Sequence, residues 1–172
     1  MSKSLSRRQE FIAPARGRRI AITLFVALLL NWLPWNGIGL ALRPDFVALV
    51  LLYWCMREPA RVGIGIAWLV GIFADVGDAS LFGQHALAYS VMAFGAYVLH
   101  RRVQMLSLRQ QTLQVFPVLL LAYLIYAAVH WQVRGYLDWT YFLGCVVSAA
   151  LWAPASLLLR AFCRPRSDPN TL

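Results

Sequence analysis

Asp75 is the first residue to question, because an ionisable group inside an apolar run either carries chemistry or holds the fold together. Gly63, Ala67, Gly71 and Asp75 recur at every fourth position. On a helix that spacing places three small side chains and one carboxylate on nearly one face. Small residues let two helix backbones approach closely in lipid. The carboxylate could bind a substrate or relay protons. The reading preferred here is structural: Gly77, Asp78 and Gly83 surround it, and Asp75 caps or pins the turn that follows. On that reading Asp75→Asn keeps part of the function, since only the charge is lost. Arg43, Pro44 and Asp45 form a second group. Proline suits a first helical turn, and Asp45 complements the positive end of the helix it opens. Arg43 can neutralise Asp45 or Asp75. Capping and pairing are preferred over ligand binding for these residues too.

Other chemistry finds little to stand on. His85, His100 and His130 are too far apart in sequence for a local metal motif. His85 follows the Gly83-Gln84 turn, His100 joins Arg101 and Arg102 at an interface, and His130 adjoins Trp131 as an interface anchor. Cys55, Cys145 and Cys163 are isolated, without zinc or disulfide spacing. No Ser-His-Asp arrangement, phosphate-binding glycine loop or acidic dyad stands out. No enzyme, metal or cofactor is expected.

The elements that hold these residues belong in a membrane. Sixty per cent of the 172 residues are hydrophobic and 13% are charged, against roughly a quarter charged in soluble domains. The net charge of +9 does not point to nucleic acid, because the basic residues sit between apolar runs, where they set topology. Those runs fall at about 20–35, 40–56, 61–77, 81–99, 113–131 and 139–160. They predict an all-α integral membrane protein of about six transmembrane helices, occupying residues 20–162. A basic tail (1–19) read as mobile precedes them, and a short polar tail (163–172) follows. A cleaved leader ending near Ala41 is the alternative for the first run. Asn31, Pro34, Asn36, Gly37 and Gly39 break residues 20–56 into a hairpin. The stretch 101–114 is either a connector or a surface helix with Val103, Leu106, Gln110 and Leu113 on one side.

Charge tests the count. With the N terminus inside, 14 of the 16 Lys and Arg residues lie in inner segments, and only Arg43 and Arg134 lie outside. That bias supports six spans with both termini cytoplasmic.

The run from Arg43 to Tyr97 resembles the core of MreD, the family of bacterial rod shape-determining membrane proteins. The resemblance rests on Arg43-Pro44-Asp45-Phe46, Tyr53-Trp54, Pro59, Gly63, Gly71, Asp75, Gly83 and His85-Ala86-Leu87, and on RRVQMLSLRQQTLQV further on. The family's G-S-P-L-G-like turn reads here as residues 78–83, without its proline. The resemblance implies a non-catalytic scaffold of the cell-wall elongation machinery in the inner membrane. Its implied partner is MreC, a bitopic protein. Through MreC it would reach the MreB filament and RodA with a class B penicillin-binding protein. It also implies a fold similar to the substrate-binding membrane subunit of energy-coupling factor transporters. The alternative function is therefore a vitamin-like transport subunit, with a polar cavity built from Arg43, Asp45, Asp75 and Gln84. The leading expectation instead gives the Gly63, Ala67, Gly71 stripe to another transmembrane helix.

Overall fold

The computed structural model describes residues 2–33, 43–77, 82–135 and 140–163. These form six helices: α1 (Ser2–Asn31), α2 (Phe46–Arg57), α3 (Ile64–Gly77), α4 (Gln84–Gln104), α5 (Leu108–Arg134) and α6 (Thr140–Cys163). Each corresponds to one of the apolar runs read from the sequence. The breakers Pro34, Asn36, Gly37 and Gly39, the turn residue Asp78 and the polar end beyond Cys163 lie outside the described residues.

Helix α2 is the centre. Val47, Ala48, Leu49 and every residue from Leu51 to Met56 are buried, so the helix has no solvent or lipid face to speak of. A helix that is apolar all round belongs in a core. It is enclosed by α1, α4 and α6. On α1 the inward positions are Ile20, Leu24, Ala27 and Asn31, while Ile22, Phe25, Val26, Leu29 and Leu30 face out. The inward set steps by four, three and four residues, the stripe of a helix packed on one side. Trp54 of α2 donates its indole N–H to Thr23 Oγ1 at 2.8 Å, pinning α1 to the core helix.

Helix α3 sits at the edge, packed mainly on α4. Its outer face shows Ile64, Ile66, Trp68, Leu69, Phe73 and Val76. With 12 and 14 residues, α2 and α3 are only about 18 and 21 Å long. The hydrocarbon core of a bilayer is about 30 Å thick. Helices α5 and α6 contain the two described stretches long and apolar enough to cross it, Leu108–Gln132 and Phe142–Phe162.

Two expectations change. The basic tail is not separate from the first apolar run: α1 is helical from Ser2 onward. The stretch 101–114 does not form a surface helix of its own. It is divided between the end of α4 and the start of α5, with Met105, Leu106 and Ser107 between them. Gln110 Oε1 accepts from the Ser107 N–H at 3.2 Å and from its hydroxyl at 3.0 Å. Ser107 thus opens α5 while Gln110 reaches back to hold it.

Candidate functional site

Polar residues in lipid or in a dry core must find partners within the protein. Here they assemble at one end of the bundle around two carboxylates. Asp45 caps α2: its Oδ1 accepts from the Ala48 N–H at 2.9 Å and from the Asn31 amide at 3.3 Å. Its Oδ2 accepts from the Tyr89 hydroxyl at 2.7 Å. Asn31 Oδ1 in turn takes the Phe46 N–H at 3.2 Å. One asparagine at the end of α1 therefore bonds both the cap and the first residue of α2. The Asp45 N–H donates to Ser148 Oγ of α6 at 3.1 Å, and Ser148 lies 3.1 Å from the Tyr123 hydroxyl of α5.

Asp75 performs the same task for α4, across the turn that joins it to α3. Its Oδ2 accepts from the Gly83 N–H at 2.9 Å and the Ala86 N–H at 3.4 Å. Its Oδ1 accepts from the His85 N–H at 2.8 Å and lies 2.8 Å from His85 Nδ1. An ionised carboxylate only accepts, so Nδ1 carries the proton. The carboxylate thereby satisfies amides that a helix start leaves without intrahelical partners, and its charge faces the positive end of α4. Gly83 holds φ +98° to make the turn, a conformation that favours glycine. The His85 ring packs against Tyr89 and Tyr126. Gln84 donates its amide to the Tyr126 carbonyl at 3.1 Å.

Tyr89 joins the two groups: its hydroxyl holds Asp45 and its ring edge meets His85. Asn31, Asp45, Asp75, His85 with Tyr89, Tyr123 and Ser148 thus link all six helices in one buried polar assembly. Both oxygens of each carboxylate accept hydrogen bonds within it. The arrangement fixes helix ends. Among the described residues, no group of three His, Cys, Asp or Glu side chains is placed to hold a metal ion.

The small-residue stripe divides. Ala67, Gly71 and Asp75 are buried against the chain's own helices. A Cβ added at Gly71 would lie 2.5 Å from the Ala86 nitrogen and 2.7 Å from the His85 carbonyl carbon, so α3 and α4 touch backbone to backbone. Gly63 makes no such approach; only the Pro59 carbonyl comes within 4.0 Å of a Cβ there. Its own carbonyl accepts the Ala67 N–H that begins α3. The expectation that this stripe receives a helix from another protein is corrected, because α4 already occupies it. Arg43 is half-buried, and its carbonyl lies 3.2 Å from where a Cβ of Gly144 would stand. His130, read as an interface anchor, is buried, whereas Trp131 beside it is exposed.

Sequence reasoning missed several members. Asn31 registers only as a helix breaker, and Tyr89, Tyr123 and Ser148 as incidental polar residues in apolar runs. The available signal was that each must find a partner in a dry interior. At the opposite end the missed residue is Gln111, whose amide donates to the Val103 and Leu106 carbonyls at 2.9 Å each. Gln111 Oε1 accepts from Arg160 Nη2 at 3.1 Å.

Comparison with known proteins now gives this architecture a context. The family model described as rod shape-determining protein MreD matches residues 17–162. The rod shape-determining protein MreD of Haemophilus influenzae is 32% identical over 139 residues, covering 78% of this chain and 84% of that protein. No solved structure matches the chain. The apolar helices fit the membrane location of that family, and the match gives the chain a role in determining rod shape. The chain belongs to the MreD family of rod shape-determining membrane proteins.

Proposed function

We propose that this protein is a non-catalytic scaffold of the cell-wall elongation machinery. It crosses the inner membrane six times, keeps both termini cytoplasmic and binds an MreC-type bitopic protein. Through that partner it connects to the MreB filament and to RodA with a class B penicillin-binding protein. Family membership supports the setting. The single structural observation that carries the scaffold reading is the use of the interior polar groups. Asp45 and Asp75 are spent on helix starts and on one another's neighbours, so the assembly stiffens a framework and leaves the outer apolar faces for lipid and partner helices.

In this reading Arg43, Asp45, Ala67, Gly71, Asp75, Gly83 and His85 act on the partner indirectly, by fixing helix positions, and Gly63 serves the start of α3. The transport alternative needs Asp45, Asp75 and Gln84 in an open polar cavity. Each instead bonds elements of the chain's own fold. The six-helix likeness to the energy-coupling factor subunit is thus proposed for shape alone.

The test is complementation. Expressed in a rod-shaped bacterium depleted of its own MreD, the chain is expected to restore rods. Variants that disrupt the polar assembly, such as Tyr89→Phe with Asp75→Asn, should restore them poorly in proportion to the loss of folded protein. Full membrane abundance and partner recovery with complete loss of rods in Asp75→Asn would contradict a framework role for that residue.

A further inference from the structure

Arg160 stands apart from the other arginines. The last turns of α6 carry it partly inside the bundle, where Nη2 donates to Gln111 Oε1. Its Nε is buried and has no hydrogen-bond partner. A guanidinium is a fixed fork of five donors suited to carboxylate or phosphate. The only carboxylates among the described side chains are Asp45, Glu58 and Asp75; the two aspartates belong to the assembly at the other end, and Glu58 follows α2. What surrounds Arg160 is more cationic still. Gln111 ties it to the carbonyls of Val103 and Leu106. Arg102, immediately before Val103, and Arg109, two residues before Gln111, are both exposed, as is Arg101. Three helix ends therefore bring arginines around one amide. The C-terminal carbonyls of α4 offset part of this charge, but they leave the buried Nε–H without an acceptor, which is costly.

We propose that this place binds the phosphate of an anionic phospholipid, with Arg160 as the inner donor and Arg102 and Arg109 as rim donors. The chemistry called for is a monovalent or divalent oxyanion with several acceptor oxygens. The setting selects a lipid headgroup over a dissolved ion, because the site lies where two membrane-length apolar helices, α5 and α6, reach the interface. Basic pockets between transmembrane helices hold anionic headgroups in this way. The nearest competing acceptor is Gln114 Oε1, itself buried without a partner one turn along α5. If a side-chain rotation let Gln114 take the Nε–H, no lipid would be required.

The experiment uses the full chain purified in a neutral detergent. Thermal stability is titrated with phosphatidylglycerol, phosphatidylethanolamine or inorganic phosphate. Phosphatidylglycerol is expected to raise the melting temperature saturably, and the other two are not. Arg160→Gln should weaken the apparent affinity for phosphatidylglycerol about tenfold, the scale of one charge-assisted hydrogen bond lost. Should Arg160→Gln not fold, Arg109→Gln decides, since its side chain is exposed and its loss should weaken binding several-fold. Arg18→Gln removes an equal charge from the exposed side of α1, which does not pack on α5 or α6, and should change nothing. Equal stabilisation by phosphatidylglycerol and phosphatidylethanolamine would overturn the proposal. So would full potency of inorganic phosphate, an Arg18→Gln effect equal to that of Arg160→Gln, or undiminished binding in both site variants.

Discussion

Replacing Gly71 with alanine should destabilise the protein far more than the same change at Gly65, although both glycines lie on the same helix. At Gly71 the new methyl carbon would sit 2.5 Å from the Ala86 nitrogen, against about 3.4 Å for ordinary contact. The obstacle is backbone, so no side-chain rotation relieves it. Helices α3 and α4 must part by about 1 Å at this point, and overpacking of that kind costs about 1–3 kcal/mol. The same displacement pulls the start of α4 away from the Asp75 carboxylate. Loss of a helix cap adds about 1 kcal/mol. Together these predict a loss of about 2–4 kcal/mol. At Gly65 nothing lies within 4 Å of the added carbon, and alanine is the better helix former by about 1 kcal/mol. Gly65→Ala should therefore be neutral or slightly stabilising. Thermal unfolding of the two purified variants, or the fraction remaining monodisperse after heating, measures the difference. Equal stability of Gly71→Ala and Gly65→Ala would refute the backbone contact between α3 and α4.

Other consequences follow from the polar groups. Asp75→Asn should lose about 1.5–3 kcal/mol, because both carboxylate oxygens accept backbone N–H groups and the new NH2 would face a donor; Asp75→Leu should lose more, as read by membrane abundance and thermal stability. Tyr89→Phe removes one bond to Asp45 and should cost about 1.5–3 kcal/mol while leaving the secondary structure, read by circular dichroism, intact. Gln111→Ala releases two carbonyls and Arg160 together, and should increase proteolysis in the turn at 105–107 before any other described turn. Reporter fusions after residue 172 and in the 57–61 and 100–112 segments should report cytoplasm, and fusions near 36–43, 77–82 and 132–138 periplasm; an externally accessible C terminus would exclude six spans.

The division into helices was legible because apolar runs and charge alternate along the chain with little ambiguity. The start of α2 was legible too, since Pro44 and Asp45 are local signals of a helix N-terminus. The Asp75 turn was visible from Gly77, Asp78 and Gly83, but not which amides the carboxylate would reach, because those lie across the turn on another helix. Gly71 announced a close approach without naming its neighbour, and the neighbour is α4 of the same chain. Asn31, Tyr89, Ser148 and Gln111 were opaque for a related reason: a lone polar residue in an apolar run says that a partner exists but not where it lies. The helical tail from Ser2 was hidden by its charge, which describes solvation and topology more than backbone conformation. The shortness of α2 was masked because buried core and membrane-spanning helices have the same apolar composition.

The central claim is that this framework serves a partner protein. Solubilising native membranes, capturing the full chain by a C-terminal tag and identifying what accompanies it by mass spectrometry tests that most directly. The account predicts an MreC-type bitopic protein recovered in amounts comparable to the chain, and lost when Gly71→Ala disturbs the helix pair. Recovery instead of an ATPase module together with a bound vitamin-like molecule, and without any bitopic partner, would contradict it.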